Sequence, residues 1–109
     1  MAMTPEGKVK NTIRDELKRI GAFFFFPATG GYGASGIPDV VGCHRGVLFG
    51  LEAKAGKGKP TKLQELQIRK INEAGGIALV VDETNAPSIG AWLEETIEMV
   101  LTGGVRHDT

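Results

Sequence analysis

The stretch Ile37-Pro38-Asp39-Val40-Val41-Gly42-Cys43-His44-Arg45-Gly46-Val47-Leu48-Phe49-Gly50-Leu51-Glu52-Ala53-Lys54 decides the fold. Ile37 to Cys43 is a β-branched run and reads as a strand. His44-Arg45-Gly46 is a tight turn, and Val47 to Lys54 is a second strand. A two-residue loop at Arg45-Gly46 pairs His44 with Val47 and sets Asp39 opposite Glu52. A three-residue loop shifts that pairing by one position. Either register brings the two carboxylates close together on adjacent strands. Side chains at i and i+2 share a face of a strand, so Glu52 and Lys54 point the same way. Two acids and a lysine are therefore expected on one side of a sheet.

Like charges so close cannot both ionise cheaply without a cation between them. A divalent metal resolves the conflict, and hard oxygen ligands favour Mg²⁺ or Mn²⁺. Cys43, His44 and His107 do not make a zinc ligand set. The plainer alternative is a surface hairpin with an ordinary Glu-Lys pair. Against it, Glu52 and Lys54 lie in an apolar strand. A second motif, Gly31-Tyr32-Gly33-Ala34-Ser35-Gly36, matches G-x-G-x-x-G, but a short β-branched run follows it where a dinucleotide site needs a helix.

Working outward, Thr4-Pro5 opens a helix carrying Val9, Ile13, Leu17 and Ile20 at helical spacing, and Gly21 ends it. Glu6 shares the face of Val9 and Ile13, so it is expected to point inward near one helix end. Ala22 to Phe26 reads as a strand and residues 27–36 as a glycine-rich loop. Ala55 to Pro60 is an exposed basic loop. Thr61 and Gln64 form a capping box at the start of a second helix, whose apolar positions are Leu63, Ile68, Ile71 and Ala74. Gln64 shares a face with Ile68 and Ile71. Gly75-Gly76 closes that helix, and Ile77 to Val81 is a short buried strand. Pro87 to Leu101 is a third helix with Ile89, Leu93, Ile97 and Val100 on one face. A loose tail is expected over residues 103–109. The order α-β-β-β-α-β-α gives an α/β fold, a small mixed sheet flanked by helices, in a single domain spanning residues 1–109.

Composition sets the limits. The chain has 109 residues, 41% of them apolar and 24% charged, which excludes disorder, collagen and coiled coil. Met1 leads to the expectation of a complete chain. The longest apolar stretch, Ala22 to Phe26, is far short of the roughly 20 residues of a membrane span. One cysteine and no leader-like segment point to a reducing, cytoplasmic setting. The net charge is zero, yet residues 1–62 hold ten Lys/Arg against five Asp/Glu, and residues 63–109 hold three against eight. The basic half could face a polyanion, although charge scatters unevenly in any short chain.

Taken in order, Gly36-Ile37-Pro38-Asp39-Val40-Val41-Gly42, Gly46, Leu51-Glu52-Ala53-Lys54, Thr61-x-x-Gln64 and Ala74-Gly75-Gly76 before a strand resemble the PD-(D/E)XK nuclease superfamily, and within it the VRR-NUC family. With Glu6 on the first helix, the resemblance covers residues 6 to about 82. The size is similar to the stand-alone forms of phages and prophages. The resemblance implies a restriction-endonuclease-like core and metal-dependent hydrolysis of phosphodiesters in branched or flap-like DNA. It also implies junction resolution by a homodimer in a bacterial host cell. It makes Asp39, Glu52 and the Ala53 carbonyl metal ligands under Mg²⁺ or Mn²⁺, and Lys54 the group that orients the attacking water. Glu6 would bind metal-ligated water or help a second ion. Gln64, with Gln67 one turn on as the alternative, would position Lys54 or a phosphate. Lys57, Lys59 and Lys62 would meet DNA phosphates. The first helix and the Phe23–Phe26 segment are the expected dimer surface, because four consecutive phenylalanines put side chains on both faces of a strand and one small core is not expected to bury both. The rival reading is a non-catalytic nucleic-acid-binding or assembly module on the same fold.

Overall fold

A computed structural model describes residues 3–28 and 36–103. The G-x-G-x-x-G stretch up to Ser35 and the expected tail from residue 104 onward lie outside the described residues. Three helices, α1 (Pro5–Arg19), α2 (Lys62–Glu73) and α3 (Ile89–Thr102), surround a four-stranded mixed sheet. Its strands are β1 (Phe23–Phe25), β2 (Val40–His44), β3 (Val47–Ala53) and β4 (Ile77–Val81), hydrogen-bonded in the order β1-β2-β3-β4. β1, β2 and β3 are antiparallel neighbours, and β4 lies parallel to β3. A parallel neighbour needs a long crossover, and α2 supplies it.

The expected element order holds, with a short 3₁₀ turn, Ala86–Ser88, before α3. Pro87 therefore sits in that turn rather than at the start of the α-helix. The first strand is shorter than the Ala22–Phe26 run, because only Phe23 to Phe25 pair with β2.

The β2–β3 turn settles the register. Arg45 (φ 53°) and Gly46 (φ 82°) both take left-handed backbone conformations, as a two-residue type I′ hairpin requires. His44 pairs with Val47 and Val40 with Leu51. Continuing that register by one position sets Asp39 opposite Glu52.

The two faces of β3 differ. Val47, Phe49, Leu51 and Ala53 join Val9, Ile13 and Leu17 of α1 and Ile89, Leu93 and Ile97 of α3 in the hydrophobic core. The alternate positions face α2: a Cβ built on Gly50 would lie 3.0 Å from Ile71 Cδ1, and Glu52 meets Gln64. α2 contributes no fully buried residue. Of the apolar positions expected for this helix, Leu63 is 52% exposed and Ala74 is also exposed. The helix packs against β3 and β4, where Ile71 lies beside Gly50 and Gly76. Gly36 holds its N-terminal turn close: φ is +81°, and a Cβ there would stand 2.5 Å from the Leu63 carbonyl.

α3 begins without a side-chain cap of its own. Glu16 of α1 supplies one from across the fold, since Gly90 N–H donates to Glu16 Oε1 over 3.1 Å. Arg19, bonded to the same carboxylate, holds Glu16 below the usual carboxylate range, and the Gly90 bond acts in the same direction.

Candidate functional site

Asp39, Glu52, Lys54 and Gln64 converge at the end of the β2–β3 hairpin beneath the first turn of α2. Asp39 stands just before β2, and its Oδ2 accepts the backbone N–H of Ala53 over 2.9 Å. That bond fixes the carboxylate against the last residue of β3. Glu52 is 1% exposed and is the buried charged residue among those described. Its Oε2 accepts from Gln64 Nε2 at 2.7 Å and lies 3.4 Å from Lys54 Nζ. Its Oε1 is buried and has no hydrogen-bond partner among the described residues.

An unpartnered oxygen on a buried carboxylate is costly, at about 1–3 kcal/mol or more for a charged group. Burial pushes the Glu52 carboxyl up to about 7, and the negative charge of Asp39 adds to it; Lys54 pulls the other way without cancelling it. The carboxyl is thus poised between its acid and its anion near neutral pH. Two carboxylates, one just before β2 and one within β3, fit a hard divalent cation better than they fit each other.

Gln64 serves two purposes with one side chain. Its Oε1 accepts from Thr61 N–H at 2.8 Å, which completes the capping box of α2, and its Nε2 holds Glu52. Helix capping and site geometry are therefore coupled. The amide orients the carboxylate directly, a different task from the expected one of positioning Lys54 or a phosphate. Gln67, one turn on, is half-buried.

Glu6 does not point into the core. Its side chain is 43% exposed and is linked to the site through Lys10, whose Nζ lies 4.0 Å from Glu6 Oε2 and 3.6 Å from Asp39 Oδ1. Sequence reasoning missed Lys10; its i,i+4 spacing from Glu6 was the available signal. Among the described residues, no three His, Cys, Asp or Glu side chains form a metal-holding group. A cation here would need Asp39 and Glu52 together with backbone or solvent oxygen. Ala53, the expected carbonyl donor, is buried and paired with Val81 of β4. Lys57 and Lys59 are exposed in the loop after Lys54, and Lys62 is exposed at the start of α2.

The phenylalanine run divides by face. Phe24 and Phe26 pack against the core, while Phe23 is 69% and Phe25 48% exposed on the edge strand. The core thus leaves one face of this segment open. No helix among the described residues is long and apolar enough to cross a membrane.

No protein-family model matches the chain, and no curated protein matches it in sequence.

Proposed function

We propose that the chain is a Mg²⁺- or Mn²⁺-dependent DNA endonuclease on a PD-(D/E)XK core of the VRR-NUC kind. The observation that carries this reading is Glu52: a buried carboxylate with one orphaned oxygen, set beside Asp39 and Lys54 on one face of a hairpin. The large majority of buried polar side-chain atoms have a hydrogen-bond partner, so one without calls for a reason. The reason this reading gives is a bound hard cation, which the oxygens of Asp39 and Glu52 suit.

Asp39, Glu52 and the Ala53 carbonyl would hold the ion. A bound divalent ion makes water a nucleophile at neutral pH and offsets charge on the phosphate. The remaining work falls to the chain. Ala53 N–H and Gln64 Nε2 fix the two carboxylates so that they need not reorganise. Lys54 supplies a positive charge next to Glu52, where it orients the attacking water and stabilises the charge that builds on the phosphate. Lys57, Lys59 and Lys62 meet the DNA backbone beside the site, so affinity falls steeply with salt. Glu6 lies at the rim, where it accepts hydrogen bonds from water rather than binding the ion directly.

The proposed working form is a homodimer. Phe23 and Phe25 form an apolar face on an edge strand, and a two-fold pair would present two equivalent active sites to a four-way junction. The test is a cleavage panel of single strands, duplex, flaps and four-way junctions with Mg²⁺ or Mn²⁺. Metal-dependent cutting of branched DNA is expected. A folded protein that cuts none of them under either metal overturns the proposal.

A further inference from the structure

We propose that Lys10 is an intrinsic counter-cation of this site, which holds Asp39 in the metal-free protein and competes with a divalent ion for it; the proposal rests on the metal-site reading above. The oxygen atoms of the site divide by what they bond. Asp39 Oδ2 is taken by Ala53 N–H, and Glu52 Oε2 by Gln64 and Lys54. The oxygens left for a metal are Asp39 Oδ1 and Glu52 Oε1. Among the described residues Glu52 Oε1 has no partner, whereas Lys10 Nζ stands 3.6 Å from Asp39 Oδ1.

Lys10 is well built for this task. It projects from the second turn of α1, and its charge also reaches Glu6 at 4.0 Å. Its side chain is partly open to solvent, as is that of Asp39. The ammonium is a compact charge on a flexible stem, so it can leave Asp39 without disturbing α1, whose packing rests on Val9, Ile13 and Leu17. Once released, it lies on the rim of the site, where a DNA phosphate would be its next partner. One residue thereby serves the empty site and the substrate complex in turn.

The test is Mn²⁺ titration by calorimetry of wild type, Lys10→Met and Lys10→Arg, with urea denaturation of each in EDTA. Removing a unit charge 3.6 Å from a ligand oxygen should tighten Mn²⁺ binding on the order of tenfold, the Coulomb scale for a partly solvated pair. Lys10→Arg should restore the wild-type affinity. Metal-free Lys10→Met should unfold at lower urea, because Asp39 and Glu6 lose their shared partner. A purely structural Lys10 would give that loss of stability with unchanged Mn²⁺ affinity, and this result overturns the proposal. Weaker Mn²⁺ binding by Lys10→Met overturns it as well. If wild type and both variants bind no Mn²⁺, the metal-site reading itself fails and this inference falls with it.

Discussion

Replacing Glu52 with glutamine should stabilise the metal-free domain, in a way that depends on pH. The native carboxyl titrates at about 7 against an ordinary 4.5. That gap corresponds to about 3 kcal/mol. The sign follows from proton counting. Between pH 4.5 and 7 the folded state keeps a proton that the unfolded chain has lost, so wild-type stability falls as pH rises through that window. Above pH 7 the whole penalty is present; below 4.5 it is gone. Glutamine is nearly isosteric with protonated Glu52 and has no charge at any pH. In EDTA at pH 8, Glu52→Gln should therefore exceed wild type by about 3 kcal/mol, and the two should converge near pH 4. Urea denaturation followed by far-ultraviolet circular dichroism measures both. Adding Mn²⁺ at pH 8 should raise wild type and leave the variant unmoved, since only a carboxylate anion is a strong ligand. A variant less stable than wild type at pH 8, or equally stabilised at pH 4 and pH 8, would refute the claim that Glu52 is a buried, under-partnered anion.

Other expectations follow from the same geometry. Lys54→Ala should keep Mn²⁺ binding, measured by calorimetry, while lowering the single-turnover cleavage rate at least about 100-fold; loss of metal binding would give Lys54 a different role. Glu16→Ala should destabilise the fold by about 1 kcal/mol in thermal melts, the scale of a lost helix cap, because Gly90 N–H loses its acceptor. Since Glu16 titrates below its ordinary value, its contribution should be present at neutral pH and be lost as the pH falls into the acid range. Light scattering at micromolar concentration should give about twice 11.6 kDa, and Phe23→Ser with Phe25→Ser should return it to monomer with the fold intact by circular dichroism.

Much of the fold could be read in the sequence because its signals are local. Thr4 caps α1 by accepting from Gly7 N–H, as the Thr4-Pro5 start indicates. The Thr61–Gln64 capping box and the apolar run of β4 are likewise set by neighbours in the chain. The hairpin register was open between two solutions, because His44-Arg45-Gly46 suits a two- or a three-residue loop. The deciding fact is Arg45 at positive φ, unusual for a residue with a side chain. What the sequence hid depends on distant contacts. Nothing near Gly90 announces that Glu16 will cap its helix. Leu63 belongs to the apolar spacing of α2 and is still exposed, because periodicity names a face but not how much of it the sheet covers. Lys10 carries no mark of the site in the sequence beyond its spacing from Glu6, because Asp39 approaches it only in the folded state. The convergence of Asp39, Glu52, Lys54 and Gln64 was legible, since strand pairing and i,i+2 spacing determine most of it. The orphaned Oε1 of Glu52 was not, because only atomic packing shows which oxygen lacks a partner.

The central claim is that buried Glu52 and its neighbours form a metal-dependent phosphodiesterase site. The most direct measurement is cleavage of an end-labelled four-way junction by wild type and Glu52→Gln side by side, with Mn²⁺ and with EDTA. The account predicts scission by wild type in Mn²⁺ alone, with none from the more stable Glu52→Gln. Equal scission by the two proteins, or persistence of cutting in EDTA, would contradict it.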